Sequence, residues 1–250
     1  MKLWHKGYEI APLVEHFEAA RNAALDAELA RHDLWGSLAH VAMLGKVELL
    51  AEGEADALHD ALCRLLDEAG AGQLIPQASQ EDIHTVIEQR LIALLGDTGK
   101  KVHTGRSRND QVLVDLRLYA KEALHGVALE LLDTAAQLLA LARTHEWTPL
   151  PGYTHMQRAM LSSVGLWASA HAEALLDDLV ALAAAYTLND QCPLGSGAAY
   201  GSPLPLDREY TSELLGFARP QRNVLAAGNG RGKIEAAIVQ SLALIMLDLS

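Results

Sequence analysis

The sequence predicts an all-α fold in which long helices form a bundle beside a smaller N-terminal helical domain. Alanine and leucine, both strong helix formers, make up 86 of the 250 residues. Aromatic residues are only 5% of the chain and runs of β-branched residues are nearly absent, which disfavours an all-β fold or a doubly wound sheet. The stretch 107–144 has no proline, and its 38 residues would form a helix about 57 Å long. That length exceeds the roughly 45 Å diameter of a compact globule of this size.

The first hundred residues predict helices of ordinary length. Apolar residues recur there every three or four positions, and glycines or polar clusters interrupt the pattern. We predict four such helices, over residues 13–31, 32–50, 55–69 and 79–95. The last of them begins with Ser79 to Asp82, a stretch that resembles a capping box. We assign residues 1–100 to an N-terminal helical domain.

Three longer helices are expected in residues 101–250, which we assign to a central bundle domain. They cover residues 107–144, about 160–189, and about 230 to 250. Between Gly126 and Leu141 the only charged residues are Glu130 and Asp133, and residues 179–188 contain none. A helix that is apolar on most sides must be buried on most sides. We therefore expect other subunits to complete the bundle.

Charge and cysteine content exclude several classes of protein. The 20 Lys and Arg against 32 Asp and Glu give a net charge of −12, which argues against nucleic acid and anionic membranes as partners. The two cysteines, Cys63 and Cys192, are too few for a disulfide framework or a zinc site. No uncharged apolar stretch of membrane-spanning length and no signal-peptide pattern is found. These features predict a cytoplasmic protein without a membrane span.

A polar block precedes the longest predicted helix and is the first candidate for chemistry. It reads His-Thr-Gly-Arg-Ser-Arg-Asn-Asp-Gln-Val over residues 103–112. Arg106, Arg108 and Asn109 converge at a helix N-terminus, where N–H groups and the helix dipole favour anions and arginine offers a planar fork to a carboxylate. The alternative is an ordinary N-cap at Ser107, with Asp110 as the third helical residue.

A second block, Pro-Leu-Pro-Gly-Tyr-Thr-His-Met-Gln-Arg over residues 149–158, also leads into a long predicted helix. Thr154 and Gln157 can orient ligand groups, and His155 can transfer a proton near neutral pH. The alternative is that His155 is a surface histidine without a catalytic role. A glycine-rich segment, 192–201, permits either close approach of the backbone to a ligand or a flexible turn between helices.

Two Glu-x-x-His pairs raise the possibility of a metal site. Glu81 with His84, and Glu122 with His125, have the spacing that di-iron helical bundles use. Such a site needs further glutamates from two other helices, and Glu81 in a first helical turn is explained by capping. We therefore expect no metal and no cofactor, and we keep a di-iron bundle as an alternative.

Taken together, the blocks resemble those of the argininosuccinate lyase family within the fumarase/aspartase superfamily. The resemblance covers nearly the whole chain and rests on five stretches in the family's order: 33–40, 79–84, 103–112, 151–157 and 193–198. It implies a long-helix bundle of the fumarase/aspartase type that assembles as a homotetramer, with each active site shared between subunits. It also implies reversible β-elimination of argininosuccinate to arginine and fumarate.

The resemblance assigns roles to individual residues of this sequence. It implies that His155 is the catalytic acid or base and that His84 supports the site from a layer behind the substrate. It implies substrate binding by Ser37, Arg108, Asn109, Thr154 and Gln157.

One family feature is not matched within these 250 residues. The mobile loop Gly-Ser-Ser-x-Met-Pro carries the serine usually assigned as the proton-abstracting base, and no stretch here resembles it. We therefore expect these residues alone to be inactive. Two further alternatives are a catalytically inactive, crystallin-like scaffold and another superfamily lyase of the adenylosuccinate lyase or aspartase type.

Overall fold

A computed structural model of the chain describes residues 22–76, 80 and 82–250. Within these ranges the protein is mostly helical, which confirms the predicted fold class. The helices are α1 (Asn22–Glu28), α2 (Ala30–Lys46), α3 (Glu54–Gly70), α4 (Ile83–Leu95), α5 (Asp97–Lys100), α6 (Arg108–Thr144), α7 (Val164–Asn189), α8 (Arg208–Leu214), α9 (Val224–Asn229) and α10 (Lys233–Asp248). A 3₁₀ turn covers Lys101–His103, and the strands β1 (Pro149–Thr154) and β2 (Gln157–Ser163) form an antiparallel hairpin.

The described residues divide into two compact units. Unit 1 comprises the described residues up to Tyr119 together with Asp190–Gly230, and unit 2 comprises Ala120–Asn189 with Arg231–Ser250. Helix α6 contributes its first turns to unit 1 and the rest to unit 2. The division into domains 1–100 and 101–250 stays a prediction.

The core of unit 1 is built from α2, α3 and α4. Its largest side chains are leucines and an isoleucine without exposed surface, namely Leu34, Leu44, Leu58, Leu62, Leu65, Ile83 and Leu91. Glycines permit two close approaches. A Cβ at Gly99 would clash with the Leu91 carbonyl oxygen, and one at Gly36 would lie 3.3 Å from Val114 Cγ1. The second contact brings α2 against the start of α6, where the candidate site lies.

Unit 2 packs α6, α7 and α10 through a smaller core. Leu124, Leu131, Leu175, Leu182 and Ile245 form its buried cluster. Many other apolar side chains of this unit remain exposed within the chain, including Trp147, Leu166, Val180, Met246 and Leu247. This exposure agrees with the unusually apolar surfaces that the sequence predicts for these helices.

Three sequence predictions differ from the structure. The helix predicted from about residue 160 begins at Val164, because residues 157–163 pair with 149–154 as a hairpin. The helix predicted to open with Ser79 begins at Ile83, where the Asp82 carboxylate accepts the Thr85 N–H at 2.8 Å and is itself the N-cap. Ser79 lies outside the described residues, as do residues 13–21 of the helix predicted over 13–31. The described remainder of that prediction is divided between α1, which ends at Glu28, and α2, which begins at Ala30. The short helices α8 and α9 were not predicted.

Helix α6 is also long and apolar enough, by length and composition, to cross a membrane. Helices of soluble proteins pass the same test, so one such helix is weak evidence for a span. The turns of α6 that belong to unit 1 carry buried polar residues, and these contact neighbouring elements as described below.

Candidate functional site

The start of α6 is closed by a reciprocal cap. The Asp110 Oδ1 atom accepts the Ser107 N–H at 2.9 Å, and the Ser107 hydroxyl accepts the Asn109 N–H at 3.2 Å. The capping pattern predicted for Ser107 and Asp110 is therefore confirmed. Asn109, a predicted substrate-binding residue, lies on the exposed side of this first turn.

Asp110 has a second role that the sequence did not indicate. Its Oδ2 atom accepts the N–H groups of Gly195 at 3.0 Å and Gly197 at 2.8 Å. Both glycines have a positive φ, of 83° and 62°, a conformation that side-chain-bearing residues rarely adopt. One buried carboxylate thus joins the helix N-terminus to the glycine-rich segment. Burial raises the pKa of Asp110, and the N–H donors and Arg106 offset part of that effect.

The glycine-rich segment is held from its other side by Arg208. The guanidinium donates to the carbonyl oxygens of Leu194 at 3.2 Å and Gln221 at 2.7 Å. A Cβ at Gly195 would meet the Arg208 side chain at 2.9 Å. Asp110 and Arg208 thus hold the segment from two sides within unit 1.

The two arginines of the polar block have different surroundings. Arg108 forms an ion pair with Asp82 and lies 3.4 Å from Glu88 Oε2, and its side chain is partly exposed. Arg106 is buried and donates to the Ser37 hydroxyl at 2.9 Å. Ser37 itself has no exposed surface. Its predicted role in substrate binding stays a prediction, and in this structure its hydroxyl supports Arg106.

A buried polar cluster surrounds His84, the predicted supporting residue. The His84 Nδ1 atom lies 3.3 Å from Asp33 Oδ2 on α2 and 3.6 Å from Asp115 Oδ2 on α6. Gln111 donates from Nε2 to Asp33 Oδ1 at 2.7 Å. None of these four side chains is more than 5% exposed. Asp33 and Asp115 were missed from the sequence because only the packing of α2, α4 and α6 brings them together.

The two carboxyl groups beside His84 differ in charge. Burial raises the pKa of Asp33, but His84, Arg106 and the Gln111 hydrogen bond together outweigh it and hold that pKa below its ordinary value. Burial, and next the charge of Asp33, raise the pKa of Asp115 well above its ordinary value of 3.8. Asp33 therefore favours its ionised form and Asp115 its protonated form.

This difference predicts a pH effect on stability in Asp115→Asn. Above pH 3.8 the unfolded chain ionises Asp115 while the folded chain keeps the proton, so the free energy of unfolding falls as the pH rises toward the folded-state pKa. The asparagine amide does not ionise, so this decrease in the free energy of unfolding is absent from the variant. Relative to the wild type, the variant should gain about 1.4 kcal/mol per pH unit in that range.

Urea unfolding at several pH values measures the gain. Asp60→Asn, on the exposed face of α3, is the matched control and should leave the pH dependence of unfolding unchanged. A constant difference between Asp115→Asn and the wild type at all pH values would contradict an uncharged Asp115.

A small recess of about 10 Å³, roughly the space of one water molecule, lies beside this cluster. Its lining includes His84, Glu88, His103, Arg106, Arg108 and Gln111. Burial, with nearby Arg106, lowers the pKa of His103. Two arginines, a carboxylate and two imidazoles therefore line a recess that has room for about one water molecule.

The second predicted block lies in unit 2 as the β1–β2 hairpin. Thr154 pairs with Gln157, which leaves His155 and Met156 as a two-residue turn. All four residues are exposed. His155 and Met156 have φ values of 51° and 59°, the pattern of a type I′ turn that favours Asn-Gly over bulky residues. A strained backbone at a predicted catalytic residue is a feature typical of functional sites.

Replacement of Met156 with glycine tests this strain. The side chain is 97% exposed, so its loss removes little packing in the chain, and glycine adopts a positive φ without steric cost. We expect Met156→Gly to raise the free energy of unfolding by up to about 1 kcal/mol. Met160→Gly, the same change in the extended β2 strand, should lower it, because glycine weakens a strand. Equal effects of both variants in thermal unfolding would contradict a strained turn.

The metal alternatives can be compared with the described residues. Glu81 lies outside them, and Glu122 and His125 are exposed on α6. Within the described ranges, the residues whose ligand atoms lie within 4.8 Å of one another are Asp33, His84 and Asp115. This group does not include the glutamates of a di-iron bundle.

The structure therefore groups the predicted residues by unit. In unit 1, His84 and Arg108 line one recess, Ser37 contacts Arg106 in the same lining, and Asn109 follows Arg108 at the helix start. In unit 2, Thr154, His155 and Gln157 share the hairpin turn. The predicted roles of these seven residues stay predictions.

Comparison with known proteins gives matches over nearly the whole chain. An argininosuccinate lyase of Phocaeicola vulgatus is 44% identical over 244 residues, which are 98% of this chain and 55% of that protein. An argininosuccinate lyase of Xylella fastidiosa is 43% identical over 248 residues, 99% of this chain and 56% of that protein. The chain thus spans about half the length of the curated relatives it matches.

Solved structures share the fold. An EDDS lyase in complex with formate has a TM-score of 0.80 and 25% identity, and the match covers 97% of this chain and 48% of that chain. A Brucella melitensis structure described as fumarate lyase:delta crystallin bound to cobalt has a TM-score of 0.79 at 20% identity, covering 97% and 58%. The sequence pattern of a family described as Lyase matches residues 13–250. The chain therefore belongs to this lyase family.

Proposed function

We propose that this chain contributes one part of an argininosuccinate lyase, which splits argininosuccinate into arginine and fumarate by reversible β-elimination. The observation that carries the proposal is the 41–44% identity to argininosuccinate lyases over 98–100% of the chain. The residues at the start of α6 and in the β1–β2 hairpin support it. Arginine biosynthesis in the cytoplasm follows as the proposed setting.

The reaction requires two kinds of group that this chain offers. A proton leaves the carbon next to the C–N bond, and negative charge builds up on the adjacent carboxylate. Cationic and N–H donors stabilise such charge most when they are fixed in place beforehand. Arg108 is held by its ion pair with Asp82, and Asn109 lies in the first turn of α6. Both are suited to a substrate carboxylate.

The departing guanidino nitrogen needs a proton, and we assign this step to His155. An imidazole gains and loses protons near neutral pH, and the hairpin turn presents it in an exposed position. Thr154 and Gln157 flank it and are proposed to orient the substrate. The base that removes the first proton is not assigned to any residue of this chain, in line with the unmatched mobile loop.

We also propose a homotetramer with shared active sites. The support within the chain is the set of exposed apolar side chains on the unit 2 helices, which include Leu129, Leu132, Leu166, Val180 and Leu247. Removal of such surface from water contributes about 25 cal/mol per Å², so burial between subunits is strongly favoured. Nucleic acid and membranes are not proposed as partners.

A chimera tests the activity. We expect the chain alone to release no measurable fumarate from argininosuccinate, followed by ultraviolet absorbance. Joined to the portion of the Phocaeicola vulgatus relative that it does not match, it should release fumarate at a rate typical of enzymes, of order 1 s⁻¹ or more. Turnover by the chain alone would contradict the assignment of the base to another segment.

The substrate panel separates the alternatives. The same chimera should show no turnover of adenylosuccinate or aspartate, which the adenylosuccinate lyase and aspartase types would process. A folded chimera that is inactive on all three substrates would favour the crystallin-like scaffold. The unmatched portion of the relative, expressed alone, is the control for activity that does not depend on this chain.

A further inference from the structure

Asp33 and Asp115 are buried acidic residues that have no role in the proposed elimination. They approach the same atom, His84 Nδ1, from helices α2 and α6, at 3.3 and 3.6 Å. Both carboxyl groups are without exposed surface. His84 Nδ1, Asp33 Oδ2 and both Asp115 oxygens are buried without a hydrogen-bond partner of good geometry. A fold does not retain such groups for packing alone, because an unsatisfied buried polar atom costs about 1–3 kcal/mol.

We propose that Asp33 and Asp115 are positioning residues for His84, which fix the imidazole with the Nδ1 proton toward them and Nε2 toward the recess. The contact distances identify Asp33 as the nearer acceptor. Gln111 holds the other Asp33 oxygen by a hydrogen bond of 2.7 Å. The carboxylate is thus itself oriented, as in catalytic and metal sites where a buried Asp sets the tautomer of a histidine.

The charges around the cluster fit this arrangement. Buried Arg106 lies close enough to act electrostatically on Asp33, Asp110 and Asp115. Asp33 is the ionised partner, since its pKa is held below the ordinary value, whereas that of Asp115 is raised. A protonated Asp115 adds no second negative charge beside the ring. Its O–H group cannot donate to an Nδ1 that already carries a proton, so its acceptor within this cluster is the ionised Asp33.

The consequence lies on the opposite edge of the imidazole. His84 lines the recess with Arg108 and His103, and its Nδ1 is buried. A neutral imidazole protonated on Nδ1 offers a lone pair at Nε2. That atom would accept an N–H of a ligand in the recess, and this step rests on the proposed function, because argininosuccinate carries amine and guanidino N–H groups.

The same three residues could instead bind a divalent cation, since their ligand atoms lie within 4.8 Å of one another. The positive charge of Arg106 beside them disfavours this occupant, because like charges repel strongly in a buried environment. We therefore infer that these groups share protons and do not bind a metal ion. The test below distinguishes these two possibilities.

The test is the tautomer of His84, read by nitrogen NMR of the protein with ¹⁵N-labelled histidine. The wild type should show neutral His84 protonated on Nδ1. Asp115→Asn should keep this signature, because an amide replaces an uncharged carboxyl. Asp33→Asn should lose it, with the proton distributed between both ring nitrogens. Unfolding in urea checks that both variants fold.

Two results would overturn the proposal. One is an unchanged His84 tautomer in folded Asp33→Asn. The other is a metal-bound Nδ1, seen as a missing Nδ1–H signal together with one equivalent of a divalent metal in elemental analysis. Neither result depends on catalysis, so a failure of the proposed function leaves this measurement interpretable.

An activity arm extends the test to the chimera. There Asp33→Asn should lower kcat/KM by at least about tenfold, the effect typical of a lost orienting carboxylate. Asp60→Asn, the same change at an exposed site on α3, should stay within about twofold of the unsubstituted chimera. Equal losses in the Asp33→Asn and Asp60→Asn chimeras, with stability unchanged, would contradict a positioning role for Asp33.

Discussion

Replacing His155 should reduce the kcat of the chimera about 10²- to 10⁴-fold, the range that general acid–base catalysis contributes. The residue is exposed in the hairpin turn, so its removal should cost little stability. His155→Ala removes the imidazole but also places alanine at a positive φ of 51°. Steady-state release of fumarate from argininosuccinate measures the loss.

His155→Asn separates chemistry from turn geometry. Asparagine adopts the left-handed conformation more readily than most residues, yet it cannot transfer a proton. Both variants should therefore lose activity to a similar extent. His125→Ala, an exposed histidine of α6, is the control and should retain activity. An active His155→Asn chimera would show that the turn matters and the imidazole does not.

Asp110→Ala should lower the free energy of unfolding by about 3–5 kcal/mol. The change removes the acceptor of three N–H groups, those of Ser107, Gly195 and Gly197. A buried donor left without a partner costs about 1–3 kcal/mol, and losses of this size are seen where buried networks are broken. Urea unfolding of the protein measures the effect.

Two matched variants make this measurement specific. Asp133→Ala is the same change in the same helix, at an exposed site whose contact is the Gln137 side chain at 2.6 Å. It should stay within about 0.5 kcal/mol of the wild type. Asp110→Asn keeps one acceptor oxygen and should fall between the two. A small loss in Asp110→Ala would mean that the glycine-rich segment does not depend on this carboxylate.

Local signals explain which parts of the fold were predictable from the sequence. The longest helix was predicted over 107–144 and is found over Arg108–Thr144, because a proline-free apolar pattern and a cap at Ser107 are both short-range features. The hairpin was missed, since the pairing of Pro149–Thr154 with Gln157–Ser163 decides the structure of these residues. Helices α8 and α9 span 7 and 6 residues, too few for a periodic pattern.

The candidate site divides in the same way. Arg108, Asn109 and the residues around His155 were found because each block is continuous in the sequence. Asp33 and Asp115 come from α2 and α6 and meet only through tertiary packing. Asp110 likewise contacts Gly195 and Gly197, which follow it by 85 and 87 positions in the sequence. Contacts of this separation leave no periodic or motif signal along the chain.

The products formed from argininosuccinate by the chimera give the most direct test of a lyase function. Arginine and fumarate, quantified together by mass spectrometry in one reaction, should appear in equal amounts and at equal rates, and both should form about 10²- to 10⁴-fold more slowly with the His155→Asn chimera. Fumarate without arginine, or no product from a chimera that folds and assembles, would contradict the proposal that this chain is part of an argininosuccinate lyase.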